Sequence, residues 1–351
     1  MIESDKKAIY VKELYNRWHD ARKEWEDHAR EDIDFYLGNH FSAAEAEELA
    51  SRNQSNIPLD RIYSAIEQFK AIITSKPPKF SAMPREDSDS DLAGVWKTIL
   101  EYIWNISDGN EVFKQAIHDY AVTGLGYLYA YVDREADYGR GEVKFRVVVD
   151  PNARSKYFDD ATGMMLSTIF TKFQLLDLYP QLSEEQEDGK LLIDLVESFS
   201  GDDTYPSPKN QRTVGTFTPD YIKDKDTGEG AEKYQLIEHF SKVKVPYYRI
   251  LDMQSGEERI LDSKNMEKFL SDNKIAKALE QGLIDVVEVQ QTRIKLTCTL
   301  GQIVLYEHIL NTDKYPIVPV PNIWTNTPYP MSDVRKNKDF QRFLNKTMSL
   351  I

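Results

Sequence analysis

The chain has 351 residues, 41% of them hydrophobic and 11% aromatic, which is enough to bury more than one compact core. Its formal net charge of −14 is the reverse of the basic balance that grips nucleic acid, so DNA would be repelled from most of the surface or touched only locally. No run approaches the ~18 apolar residues of a membrane span, and the start, MIESDKKAIYVKELYNRW, lacks a basic-then-apolar secretory pattern. The one cysteine, Cys298, excludes an internal disulfide and suggests a reducing, intracellular site of synthesis.

In chain order, Leu14, Trp18, Ala21, Trp25, Ile33 and Leu37 recur at helical spacing and predict a helix over residues 7 to 37 that stops at Gly38 and Asn39. His19 and His28 fall on its solvated side. A second helix runs from about Pro58 to Ser75, with Leu59, Ile62, Ile66, Phe69 and Ile73 on one face. Lys76-Pro77-Pro78 ends it. After a polar linker, Pro84 to Asp91, a third helix carries the stripe Leu92, Val95, Trp96, Ile99, Ile103 and Ile106. Asn110 is placed to cap a fourth, with Phe113, Ala116, Ile117 and Tyr120 at helical spacing.

The stretch VTGLGYLYAYVD follows, with glycines at 124 and 126. A dinucleotide loop needs a strand before its glycines and a helix after them, so that pyrophosphate meets a helix N-terminus. Here the order is helix, glycines, strand, and an anion would face the partially negative end of the helix. Gly124 therefore reads as a helix C-cap and Gly126 as a close-packing position at the strand start.

Strands are expected over Glu142–Val149 and Met165–Phe173, with a turn at Asp150-Pro151 and a short helix from about Gln174 to Tyr179. Residues 201–233, rich in Pro, Gly and charge, read as an insertion or domain boundary. Further strands are expected at Tyr234–Ser241, Lys244–Leu251, Val286–Val289, Thr292–Leu300 and Ile303–Tyr306. A charged helix interrupts them from Ser263 to about Gly282. Cys298, in the alternating run IKLTCTL, reads as a buried strand residue. The proline-rich run Tyr315–Pro321 leads to a last helix from near Ser332, still running at Ile351, so the sequence is expected to stop inside an element.

The sequence supports no active site. It has no Gly-Lys-Ser/Thr phosphate loop, no Gly-x-Ser-x-Gly elbow and no paired metal spacing among its six histidines, and its carboxylate pairs, such as Asp159-Asp160, read as solvated loop charges. No cofactor or metal is implied. The last helix is more informative. Arg335, Lys338, Arg342 and Lys346 fall on one narrow face, with Phe340, Leu344, Met348 and Ile351 opposite. That is either an ordinary amphipathic helix with a solvated face, or a basic stripe presented to phosphates or to acidic groups of a neighbouring subunit.

Taken together, these segments resemble the portal, or head-to-tail connector, of short-tailed double-stranded DNA phages. The resemblance begins with NIPLDRIYSAIEQFKAIITSKPPKFSAMP, continues through IHDYAVTGLGYLYAYVD and VVVDPNARSKYFDDATG, and is most specific in QQTRIKLTCTLGQIVLYEH, YPIVPVPNIW and SDVRKNKDFQRFLNKTMSLI. Asp339, Gln341 and Asn345 are similar to the start of the family's second stem helix. The 201–233 stretch has no clear counterpart.

The resemblance implies an α+β portal fold in a ring of usually twelve subunits at one capsid vertex. It implies a wing-like domain over 1–235, a stem and clip region over 236–325 and the start of the second stem helix over 326–351. It further implies a DNA channel, docking of the terminase large subunit and then a tail adaptor or head-completion protein, and contacts with major capsid and scaffolding proteins, but no membrane. The protein would be made in the host bacterial cytoplasm and carried in the virion. On this reading Arg335, Lys338, Arg342 and Lys346 are DNA-channel candidates, Arg293 and Lys295 clip-surface candidates, and Gly124 and Gly126 structural. Twelve copies at −14 would carry −168, a bore along which DNA could slide. A multi-domain enzyme or binding protein with an unrecognised site fits the composition equally well. A sequence-reading DNA-binding protein is disfavoured by acidity and by the want of a recognition helix.

Overall fold

A computed structural model describes residues 3–55, 57–84, 90–131, 146–184, 191–198, 232–253, 258–270 and 283–350. Most of the 201–233 stretch, the start of the Glu142–Val149 strand, the second half of the helix expected to reach Gly282, and Ile351 lie outside the described residues.

The fold is α+β. Its first element, α1 (Glu3–Tyr36), is a single long helix. Its buried line runs through Val11, Tyr15, Trp18, Arg22, Trp25, Glu26 and Ala29, whereas Ala21, expected inside, is exposed. Arg22 can be interior because its guanidinium donates to the Val147 carbonyl at 2.6 Å and to Glu26 at 3.3 Å, so the charge is paired where water is excluded. His19 is half-buried and stacked on Tyr15, not plain solvated surface. Burial, then the charge of Arg22, lower its pKa.

A short helix, α2 (Ala43–Ser51), follows, which the periodicity had not indicated. It is specified at its start: Ser42 accepts from the Glu45 N–H while the Glu45 carboxylate accepts from the Ser42 N–H. The next helices are α3 (Arg61–Thr74), capped by Asp60, α4 (Ser90–Ile106) and α5 (Gly109–Val122). Asp108 occupies the cap of α5 in the left-handed region, and Asn110, expected to cap it, instead accepts a hydrogen bond from the Trp104 indole at 2.9 Å. The α4 stripe departs furthest from expectation. No residue of α4 is buried.

Strands β2 (Val147–Val149), β3 (Gly163–Thr171), β4 (Lys233–Asp252), β6 (Ile284–Leu300) and β7 (Ile303–Leu310) form an antiparallel sheet in that spatial order, with β5 (Glu258–Asp262) paired to the outer half of β4. β4 and β6 are each continuous where the pattern suggested two strands. They pair from Leu236↔Leu300 to Asp252↔Ile284, so their outer halves project beyond the sheet as a ribbon, joined by β5 and the helix α7 (Ser263–Leu270). Alternation gives the sheet two apolar faces. Val148, Met165 and Ile237 meet Val11, Tyr15 and Trp18 of α1. The other face meets two groups. Val147, Val149, Met164, Leu166, Phe240 and Ile294 pack under Leu125, Tyr127, Tyr315 and Ile317, while Tyr234, Leu236, Cys298 and Leu300 pack under Leu175, Leu182 and Ile193. Leu175 belongs to α6 (Lys172–Leu178), which starts where the expected Met165–Phe173 strand was to finish. Cys298 is fully buried.

β1 (Leu125–Tyr129) pairs with β8 (Ile317–Pro321), formed by the proline-rich run. Pro319 and Pro321 are two residues apart, so their missing N–H groups share one side. The pairing with β1 is kept by the alternate residues Val318 and Val320, opposite Leu128 and Gly126.

Candidate functional site

The last helix, α8 (Asp333–Ser349), starts at Ser332, whose hydroxyl accepts the Arg335 N–H at 2.8 Å and donates to Asp32 of α1 at 2.7 Å. One cap thus fixes both the helix start and its position against α1. The expected cationic stripe then lies along the end of α1. Lys338 contacts Glu31 at 2.9 Å and Asp32 at 2.8 Å, Arg335 approaches Asp32 at 3.5 Å, and Arg342 contacts Glu31 at 2.6 Å. Lys338 and Arg342 also lie over the Phe35 ring, 5.4 and 5.1 Å from its centroid. Lys338 is 5% exposed and Asp32 0%. For Glu31, burial alone would raise the carboxyl; the Lys338 hydrogen bond and the charges of Lys338 and Arg342 override it and hold the group below its ordinary value.

The helix is therefore turned the opposite way from a simple amphipathic element. Its cationic side faces the chain's own carboxylates, while Phe340 (76% exposed), Phe343 (71%), Met348 and Leu350 face outward. Lys346, in the last turn, is exposed.

Beside the ion pairs runs a buried polar network. His40 Nε2 lies 2.9 Å from the Phe35 carbonyl, which can only accept, so the proton sits on Nε2 and Nδ1 accepts from Asn345 at 2.9 Å. The Asn345 side-chain oxygen accepts from the Leu59 N–H and from Gln341. Gln341 in turn accepts from the Arg61 N–H and donates to the Leu59 carbonyl at 2.7 Å. Gln341 and Asn345 of the Asp-x-Gln-x-x-x-Asn run thus clamp the backbone entering α3, while Asp339 stays exposed. Periodicity gave no sign of this clamp; only the i, i+4 spacing of two amides did.

Arg293 and Lys295 are elsewhere, on β6. Arg293 donates to the Tyr247 hydroxyl at 3.1 Å and stacks over its ring. Lys295 contacts Glu307 at 2.8 Å, which also faces Lys7 near the start of α1. The structure does not bring these two together with the α8 cations. Lys7 and Glu31 are 24 helical residues apart, roughly 36 Å.

At the glycine junction, α5 ends at Val122 with Thr123 as its cap. Gly124 follows at φ +88°, its carbonyl accepting from the Asn322 N–H. A Cβ on Gly124 would lie 2.7 Å from the Met331 carbonyl carbon and 2.8 Å from the Ser332 nitrogen. One on Gly126 would lie 2.3 Å from the Ala116 oxygen. These glycines are filled in by backbone, with no room for a phosphate. The same contact seats Gly124 against the cap of α8.

Among the described residues there is no group of three His, Cys, Asp or Glu side chains suited to a metal, and no helix long and apolar enough to cross a membrane. The described residues thus form a mixed fold knit by internal ion pairs and amide clamps, with Phe340, Phe343 and the apolar stripe of α4 exposed. The model of the Phage P22-like portal protein matches residues 12–351, and the chain belongs to that family. The family is structural and non-enzymatic, a component of the phage particle. No curated protein matches the chain.

Proposed function

We propose that the chain is one subunit of a ring, usually of twelve copies, that encircles a channel at one capsid vertex. Double-stranded DNA enters the shell through it during packaging and leaves through it at ejection. The observation that carries this reading is the family match over nearly the whole chain. The charge supports it: a subunit at −14 lines a channel along which a duplex slides without being trapped. The projecting end of the β4–β6 ribbon, with β5 and α7, is the natural clip, the place where the terminase motor and then the tail adaptor dock, with Arg293 and Lys295 towards its base. The wing side contacts major capsid and scaffolding proteins.

Of the four channel candidates, Arg342 and Lys346 reach solvent, Arg335 is mostly covered, and Lys338 would have to leave Asp32 before meeting a phosphate. The test has two parts. Electron microscopy of the purified chain should give rings with a central hole; a solitary particle at every concentration removes the proposal. Particles carrying Arg342→Glu with Lys346→Glu should leak packaged DNA faster, and unchanged packaging and retention removes these cations from the channel.

A further inference from the structure

α4 is the one long helix whose amphipathic pattern finds nothing to cover it among the described residues. Leu92, Trp96, Ile99, Ile103 and Ile106 are spaced four, three, four and three apart, with Val95, Leu100 and Tyr102 flanking them, so apolar side chains occupy well over a third of the cylinder. All eight are exposed, from 37% at Leu100 to 66% at Ile106. The helix is nevertheless held in place. The Trp104 ring lies against Gly109, where a Cβ would come within 2.3 Å of it, its indole bonds Asn110, and Phe80 packs on it 5.3 Å away. A fixed helix presenting its hydrophobic side to water is a docking element.

The same chain carries an apolar groove. Between α3 and α8 runs a groove of about 260 Å³, walled by Ile62, Ala65 and Ile66 on one side and Phe340 and Leu344 on the other. We propose that α4 of one copy lies in the α3–α8 groove of the next copy, head to tail. The proposal rests on the ring reading above and names the surfaces that close it.

One observation favours a second copy over another occupant, and it is area. Eight large side chains along a helix of about 25 Å offer on the order of 600–800 Å², more than the ~300–600 Å² patch of a typical monomer and close to the ~800 Å² per partner of a stable interface. Because patch and groove are different surfaces, repeating the contact generates a closed ring or an open filament, never a two-fold dimer.

The test uses the full chain, whose own Cys298 is buried. Ile99→Cys and Asn337→Cys together should give, on mild oxidation, a ladder of covalent oligomers on a non-reducing gel, and neither substitution alone should. Dimers from Ile99→Cys alone would mean that α4 packs on α4 and would overturn the proposal. So would rings, seen in the microscope, whose paired cysteines stay unlinked and open to maleimide, since α4 would then face a different partner. As an independent arm, Trp96→Asp with Ile103→Asp should leave the circular dichroism of the subunit unchanged and lower the ring population at least tenfold. Intact rings from that variant refute the inference while leaving the ring reading standing. A wild-type chain that never forms rings refutes both.

Discussion

Lys338 lies 2.8 Å from a carboxylate that has no exposed surface at all. Removing one member of a buried pair leaves the other charged and unsolvated, which costs more than the pair itself contributes. Lys338→Met should therefore destabilise the fold by about 3 kcal/mol in urea titration, somewhat less if Ser332 and Arg335 partly hold Asp32. Adding Asp32→Asn should restore a large part of that loss. If the single variant were as stable as wild type, the pair would be ornamental.

A second residue sets a pH limit. His239 is buried on β4 against Trp18, and burial, reinforced by the charge of Lys295, lowers its pKa to about 4. In the unfolded chain the ring takes up a proton near pH 6.5, while in the folded protein it stays neutral until about 4. This contribution is complete above the unfolded value and is lost as pH falls between the two, to the extent of about 3 kcal/mol. His19 acts in the same direction. Glu31, held low by Lys338 and Arg342, adds its loss only below the ordinary carboxylate range. Stability measured from pH 7 down to 4.5 should thus fall with a slope that His239→Gln makes shallower, leaving the part due to His19.

At the scale of elements, the spacing of apolar residues located α1, α3, α4, α5 and α8 well but gave no direction to two of them. Periodicity reports that a helix has two unlike sides; it does not report which side the rest of the chain will cover. On α8 the carboxylates of Glu31 and Asp32 claimed the cationic side, and on α4 nothing described claimed the apolar one. The same limit hid α2, which has a capping box but too little apolar surface for a stripe. It also split β4 into two strands, because the polar run around Lys242 and Lys244 lies where the ribbon leaves the sheet and both faces become accessible.

The Gly124 junction was legible to within one residue: the cap expected at Gly124 falls on Thr123, and Gly124 next to it takes the positive φ that turns the helix into the strand. Gly124→Val would combine a β-branched side chain at φ +88° with backbone at 2.7 Å. It should cost several times the ~1 kcal/mol of an ordinary helix-end change, seen as loss of soluble protein or of the thermal transition. Normal folding and assembly of that variant would contradict this account.

For the molecule as a whole, the start and end of the chain are interleaved. Asp32 is held by Ser332, Trp25 donates its indole hydrogen to the Pro330 carbonyl, and β1 completes its pairing only with β8. Ending the chain after residue 331 should therefore loosen the far end of α1, raising its amide hydrogen exchange well above that of Val11 to Trp18, which are held by the sheet. Equal protection along α1 would show that α8 contributes nothing to it. None of these pairings could be read from local pattern, since each joins residues some 200 to 300 positions apart.

That separation has a consequence at the ribosome. At roughly 5–20 residues per second, the partner that anchors Asp32 emerges some 15–60 s after the helix that awaits it. A nascent polypeptide carries Trp25 without its Pro330 acceptor for that interval, and any product that stops short of Ser332 leaves the far end of α1 without its seat.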